Sequence, residues 1–280
     1  MRISHLLAAT ASVFLTAVDT PAQTGSAPLP YSYADLADRA LAAPVAVLAT
    51  VSSAIPLKPA QSPGLAPGHV RLFVEAVATG LIRGPQGLSP QLRYLADVPL
   101  DPKGRPPKLK KAEVLLLARP VAGRSGEVQL VAPDAQFLRT PETEAVVRAI
   151  ITEAVRRDGP PAITGIGGAF HVPGAIPGES ETQIFLTTAG NRPISLNVLR
   201  RPGEQPQWSV ALTEVVDEAA QTPKPDTLLW YRLACGLPRN LPASVVAELD
   251  TGAARATAAD YALILEQLGR CTRNRPVRTS

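Results

Sequence analysis

The sequence is poor in the residues that usually carry chemistry or cross-link a small protein. It has 280 residues, with only two cysteines and three histidines. Two cysteines are too few for a disulfide-rich scaffold, and a hydrophobic fraction of 45% is too high for a disordered chain. No regular repeat is evident, and only one long apolar run is present. The length allows one or two domains with a substantial core.

The long apolar run lies at the start of the chain. Arg2 supplies a positive charge, Leu6 to Val18 is apolar, and Thr20 to Ala22 is a small-residue cleavage site. The run is short for a membrane span, and no cysteine of the lipoprotein type follows it. A buried N-terminal helix is the alternative. The sequence therefore predicts a signal peptide over residues 1–22, cleaved after Ala22, and a periplasmic or secreted protein.

The two cysteines fit an oxidising compartment. Cys235 and Cys271 can pair in only one way, and no C-x-x-C motif points to a redox site. Two cysteines so far apart supply too few ligands for a structural metal. The sequence predicts a structural disulfide that joins the C-terminal helix to a strand.

The first part of the mature chain has mainly strand patterns. A short helix over 32–43 ends at Pro44, and alternating or continuous apolar residues then predict about five strands, separated by loops such as 55–68. Thr140 and Pro141 begin a second helix with an apolar stripe from Val146 to Val155. Five strands with long loops favour a small barrel or sandwich over residues 31–158.

The Gly-Pro-Pro run at 159–161 separates this part from a second β-rich unit, predicted over 162–272. A hairpin over 182–199 is followed by strands over 207–216 and 227–235. Thr257 and Asp260 resemble a capping box for a final helix that ends at Gly269, before a basic, mobile tail over 273–280. The fold class expected is α+β, mainly β: a small barrel or sandwich, then an antiparallel sheet, with an intervening and a C-terminal helix.

One family resemblance carries part of this expectation. The strand over 45–51, the strand over 70–77 with the following segment 80–84, and the strand over 114–118 with its hairpin are similar in layout to netrin-like modules. That resemblance implies an OB-type β-barrel for less than half of the chain. The protease-inhibiting members use an N-terminal cysteine to chelate metal, and this segment has no cysteine, so inhibition does not carry over. The whole chain resembles exported bacterial proteins.

The densest polar cluster surrounds His171. Glu179 and Glu181 follow it in a glycine-rich stretch over 165–183, and a histidine with carboxylates can act as a base, an acid or a metal ligand. The spacing matches no zinc-protease, nucleophile-elbow or phosphate-loop motif. The plain interpretation is a loop that packs His171 against a strand end. The sequence predicts no cofactor and no metal, and it contains no complete catalytic motif.

Two other groups are candidates for binding. Lys108, Lys110 and Lys111 lie in a cationic loop that can hold an anionic headgroup, a phosphate or an acidic partner, or can simply be solvated. Without interleaved aromatic residues this loop does not indicate nucleic acid. Trp208 and Trp230, on strands expected to be neighbours, can line a carbohydrate or peptide groove, but are more typical of a core.

Three hypotheses follow. The leading one is an exported cell-envelope protein that acts by binding an envelope ligand or a protein rather than by catalysis. The runner-up is a periplasmic hydrolase or metal-dependent enzyme centred on His171 with Glu179 or Glu181. The third is peripheral attachment of the basic loop to an anionic membrane surface. Composition leaves the oligomeric state open.

Overall fold

The computed structural model describes residues 31–212 and 222–275. The fold is α+β and mainly β, as the sequence predicts, with two antiparallel sheets and five α-helices in the described residues. The signal-peptide prediction falls outside these residues. None of the helices within the described ranges is long and apolar enough to cross a membrane.

The first unit is a six-stranded sheet flanked by two helices. Its elements are α1 (Tyr33–Ala42), β1 (Val45–Pro56), a 3-10 turn (Pro59–Gln61), β2 (His69–Arg83), β3 (Gln91–Pro99), β4 (Glu113–Pro120), β5 (Val128–Leu130), β6 (Gln136–Leu138) and α2 (Pro141–Val155). Both helices begin at the residues that favour an N-cap: Ser32 accepts from the amide of Asp35 at 3.1 Å, and Thr140 accepts from the amide of Thr143 at 3.1 Å.

The sheet has the order β3-β2-β1-β4-β5, with β6 also paired to β4. The prediction of a barrel is wrong, because the sheet is not closed. Its edges β3 and β5 meet at a single parallel bridge between Arg93 and Glu127. Backbone hydrogen bonds from Arg93 to Gly126 and from Asp97 to Pro133 also cross between them, but no continuous ladder joins the two edges. β5 is only three residues long, too short to complete such a ladder. The seam between these edges is therefore open.

The second unit is a four-stranded sheet with three helices. Its elements are β7 (Ile163–Pro173), β8 (Ser180–Thr188), β9 (Ile194–Arg200), β10 (Gln207–Ala211), α3 (Leu228–Gly236), α4 (Ala243–Val246) and α5 (Thr251–Leu268). The strand order is β10-β9-β8-β7, and the predicted hairpin is β8 and β9.

Three local predictions in this unit are wrong. The strand expected over 227–235 is instead helix α3 (Leu228–Gly236), which Thr227 caps by accepting from the amide of Trp230 at 3.2 Å. The first half of the expected glycine-rich loop is β7, whose pairing with β8 is interrupted by two register shifts. The last helix begins after Asp250, so Thr257 lies inside it rather than at its cap.

Each sheet has its own buried apolar cluster. The first contains residues of all six strands of its sheet and of α1 and α2, together with Leu228 of α3. The second lies between the second sheet and helices α3 and α5. Tyr33 of α1 and Tyr231 of α3 pack against both clusters. The hydroxyl of Tyr231 also donates to Asp38 of α1 at 2.7 Å. The α1–α3 contact therefore connects the two units.

The predicted disulfide between Cys235 and Cys271 is present. It joins α3 to the segment after α5, so its first partner is on a helix rather than on the expected strand. The tail over 273–280 is predicted to be mobile, and its last five residues lie outside the described ones. Within the described part, however, Arg273 and Asn274 bind Asp38 and Asp35 of α1. The disulfide therefore anchors a C-terminal segment that extends from the second unit to the first.

Candidate functional sites

His171 belongs to a chain of hydrogen bonds in the second unit. It lies on β7 opposite Thr182 of β8, and its Nδ1 is 2.8 Å from the Thr182 hydroxyl. That hydroxyl donates to Oδ2 of Asp260 on α5, and Arg200 of β9 donates from Nε to Oδ1 of the same carboxylate at 2.7 Å. Thr182 and Asp260 are both fully buried. The chain therefore connects three strands to the helix that covers them.

The number of protons in this chain decides what it can do. The hydroxyl of Thr182 has one hydrogen, and a carboxylate bound by Arg200 can only accept, so that hydrogen belongs to the Asp260 bond. The Nδ1 atom of His171 must then donate to Thr182. In a catalytic triad the hydroxyl instead gives its proton to the histidine. Thr182 is thus buried and oriented away from the role of a nucleophile, and the chain acts as a polar connection between sheet and helix.

The two glutamates of the predicted site do not join this chain. Glu179 precedes β8, and Glu181 lies on β8 one residue before Thr182, which places its side chain on the opposite, exposed face of the sheet. The carboxylate associated with His171 is Asp260, from a helix 78 residues further along than Thr182. Within the described residues, no group of three or more histidine, cysteine, aspartate or glutamate side chains has a geometry suited to a metal ion.

The basic loop lies between β3 and β4 and is exposed. Lys108, Lys110 and Lys111 all face solvent, and within the described residues none of them forms an ion pair. Nearby, Arg105 is bound to Asp101 at 2.8 Å, and the hydrogen bonds from the backbone and side chain of Arg105 lower the pKa of Asp101. Leu109 alone in this stretch is buried, which fixes the loop to the first core.

The two tryptophans are core residues. Trp208 on β10 is 5% exposed and Trp230 on α3 is 8% exposed, and both belong to the second apolar cluster. The indole of Trp230 donates from Nε1 to the backbone oxygen of Leu268 at 2.8 Å. These side chains are not available to line a surface groove, and they lie on a strand and a helix rather than on two neighbouring strands.

Sequence reasoning missed a groove in the first unit. It occupies the open seam between β3 and β5, with a volume of about 680 Å³. Phe73 and Leu95 are direct partners across β2 and β3, and Leu95 is 46% exposed at this position. Four arginines and two carboxylates also line the groove: Arg71, Arg93, Arg119, Arg124, Asp97 and Glu127.

The charges in the groove are only partly neutralised. Arg71 holds both carboxylate oxygens of Asp97, at 2.7 and 2.9 Å, and this bond raises the pKa of Arg71. Arg124 donates to Glu127 at 3.1 Å. In the described part of the chain, Arg93 and Arg119 have neither an ion pair nor a side-chain hydrogen bond. Strand alternation could have placed Leu95 on an outward position, but it does not reveal which arginines are paired.

Comparison with known proteins adds no assignment, since no protein-family model matches the chain and no curated protein is significantly similar to it.

Proposed function

We propose that this protein is exported to the periplasm or beyond, and that it acts there by binding a small ligand in the groove between β3 and β5. The observation that carries the proposal is an open groove in which the exposed Leu95 and the half-buried Phe73 lie beside unpaired arginines. Its volume is in the range of about 300–1,000 Å³ that small-molecule sites have. The predicted signal peptide supports the location.

A second depression, beside α2, differs from this groove because its charges are all paired. It has a volume of about 420 Å³ and is lined by Glu113, Arg139, Glu144 and Arg148. There Arg139 and Arg148 both donate to Glu144 at 2.8 Å, so the charges satisfy one another. The groove between β3 and β5 combines apolar surface with charge that no described residue satisfies, and that combination favours a ligand.

The catalytic alternative has less support. His171 is bound to a buried hydroxyl whose proton is committed to Asp260, and Glu179 and Glu181 are outside that chain. The buried hydroxyl and carboxylate of this chain therefore have a structural role, as a connection between the sheet and α5. The membrane alternative depends only on the exposed lysines of the basic loop, which are equally typical of a solvated loop.

The proposal is tested by mapping small-molecule fragments on the mature protein by NMR. Fragments are expected to shift the backbone amides of Phe73, Leu95 and Leu130, which line the groove. Leu95→Glu places a charge in the apolar wall and should abolish these shifts, whereas Leu138→Glu, at an exposed position on β6 away from the groove, should leave them unchanged. Fragments that bind elsewhere, or shifts that survive Leu95→Glu, would contradict the proposal.

A further inference from the structure

The groove also indicates what kind of ligand it takes, and the first indication is its charge. Of four arginines, Arg71 and Arg124 are bound to the two carboxylates of the lining. The remaining two, Arg93 and Arg119, are exposed, and their guanidinium groups lack a partner among the described side chains. The groove therefore has an unbalanced positive charge, which complements an anion.

The second indication is the position of these two arginines. The backbone of Arg93 forms a β-bridge with that of Glu127, and Arg119 lies opposite Gln129 in the strand register on the other side of β5. Glu127 immediately precedes β5 and Gln129 lies in it, and two residues apart along extended backbone their side chains point to one face. With ordinary strand spacing and rise, the Cα atoms of the two arginines are about 12 Å apart. Two extended arginine side chains can span that distance to reach a common anionic group.

The third indication is the apolar surface next to the arginines. Across β2 and β3 the register places Arg71 opposite Asp97, then Phe73 opposite Leu95, then Glu75 opposite Arg93. An apolar pair thus lies between a satisfied ion pair and Arg93, whose side chain forms no ion pair with Glu75 opposite it or with any other described residue. Leu95 is among the most exposed leucines of the described residues, and an exposed large apolar side chain in a concave site favours an apolar ligand group.

We infer that the groove binds a small amphipathic anion, with one carboxylate or phosphate headgroup between Arg93 and Arg119 and an apolar body on Phe73 and Leu95. This inference rests on the proposed function and specifies the ligand class of the same site. Guanidinium groups bind carboxylates and phosphates through charge-assisted hydrogen bonds, and the apolar body gains from leaving water. A carboxylate from a free amphiphile and a phosphate from a lipid share this chemistry.

Decanoate, decyl phosphate and decanol are suitable probes, since each has ten carbons and they differ mainly in the headgroup. Isothermal titration of the mature protein, below the critical micelle concentration of each anion, should show both anions binding at least about tenfold more tightly than decanol. Arg93→Gln and Arg119→Gln should each weaken the anions about tenfold and leave decanol unchanged. Both arginines are exposed, so these variants should fold, which circular dichroism checks.

Arg105→Gln is the matched control, because Arg105 is an exposed arginine in the basic loop outside the groove. It should bind all three probes as the unchanged protein does. Equal affinity for decanoate and decanol, with fragments still mapping to the groove, would overturn the ligand class and leave the proposed function standing. Fragments that do not map to the groove would overturn the function itself. Binding only to phosphatidylglycerol vesicles, with no binding of the monomeric anions, would also overturn the inference and indicate a membrane surface.

Discussion

At the scale of single residues, the hydroxyl of Thr182 makes two hydrogen bonds at a buried position in the second unit. It is buried, it accepts from His171, and it donates to the carboxylate of Asp260. Thr182→Val keeps the shape of the side chain but removes both bonds, which leaves Arg200 as the remaining partner of the buried carboxylate among the described residues. Because an unsatisfied buried polar group costs about 1–3 kcal/mol, we expect the free energy of unfolding to fall by that amount. Chemical denaturation measures it.

Thr187→Val is the matched control for this variant. Thr187 is on the same strand but on its exposed face, where the one side-chain partner of its hydroxyl among the described residues is the hydroxyl of Thr164. Its replacement should change stability by no more than about 0.5 kcal/mol. A similar loss in both variants would mean that the bond to Asp260 contributes nothing specific.

Of the residues around His171, the sequence predicted the histidine but not the side chains that it contacts. The histidine was identified because it is scarce, but its partners Thr182, Arg200 and Asp260 come from three other elements. Only the packing of α5 on the sheet brings them together. The glutamates nearest in sequence lie outside the chain, since proximity along a strand does not place two residues on one face. In the groove, pairing across strands decides which arginines remain free.

At the scale of elements, local signals located most helices and strands of the first unit correctly, because alternation and N-caps are properties of short segments. The secondary-structure predictions failed where one sequence pattern is compatible with two different structures. The segment over 228–234, apolar except for Arg232, suits a buried strand or a short helix, and the cap at Thr227 favours the helix. β7 was not predicted as a strand because its glycines are typical of a loop. In the structure these glycines accompany shifts in register with β8.

The N-terminus of α5 depends on the side chain of Asp250. Its Oδ1 accepts from the amides of Gly252 and Ala253, at 2.8 and 2.9 Å. The hydrogen bonds from Ala253 and Gly252, with a smaller effect of the charge on His171, lower the pKa of Asp250 below its ordinary value. A carboxyl whose pKa is lower in the folded state stabilises the fold above its unfolded pKa, and this contribution disappears as the pH falls through the folded value.

We therefore expect Asp250→Ala to melt at a lower temperature than the unchanged protein at pH 7, with the difference shrinking below about pH 4. Asp250→Asn is the control, since asparagine caps a helix about as well and does not titrate. Thermal unfolding followed by circular dichroism across this pH range provides the measurement. If the Ala variant lost the same amount at every pH, the charge of Asp250 would have no part in the cap.

At the scale of the whole molecule, strand and helix patterns predicted the fold class, and the two cysteines with the predicted export signal predicted the disulfide. The open seam between β3 and β5 instead depends on the length of one strand. A sequence pattern identifies β5 but does not determine whether three residues close the sheet. The α1–α3 contact between the units was equally hidden, because Tyr231 and Asp38 are 193 residues apart. Long-range contacts of this kind follow from packing, not from local preference.

The C-terminal segment is the second long-range connection. After Cys271, the amides of Asn274 and Arg275 donate to the carboxylate of Asp35 at 3.0 and 3.1 Å. The guanidinium of Arg275 lies 4.4 Å from the ring centre of Tyr31, a distance suited to a cation–π interaction. Asp35 also accepts from Ser32 in the N-terminal box of α1. One buried carboxylate thus fixes both the start of α1 and the end of the described chain, and the disulfide holds this segment in reach.

Replacing both cysteines by serine should affect the fold at two levels. Loss of a cross-link that closes 36 residues should lower the free energy of unfolding by about 3–4 kcal/mol, because the unfolded chain gains entropy. Below the unfolding transition, hydrogen exchange at the Asn274 and Arg275 amides should accelerate, since their segment is no longer tethered to α3.

Arg273→Ala serves as the comparison. It removes the ion pair with Asp38 and keeps the cross-link, so it should accelerate the same amides with little loss of global stability. Amides that stay protected in the serine variant would show that Asp35 and Asp38 hold the segment without help from the disulfide.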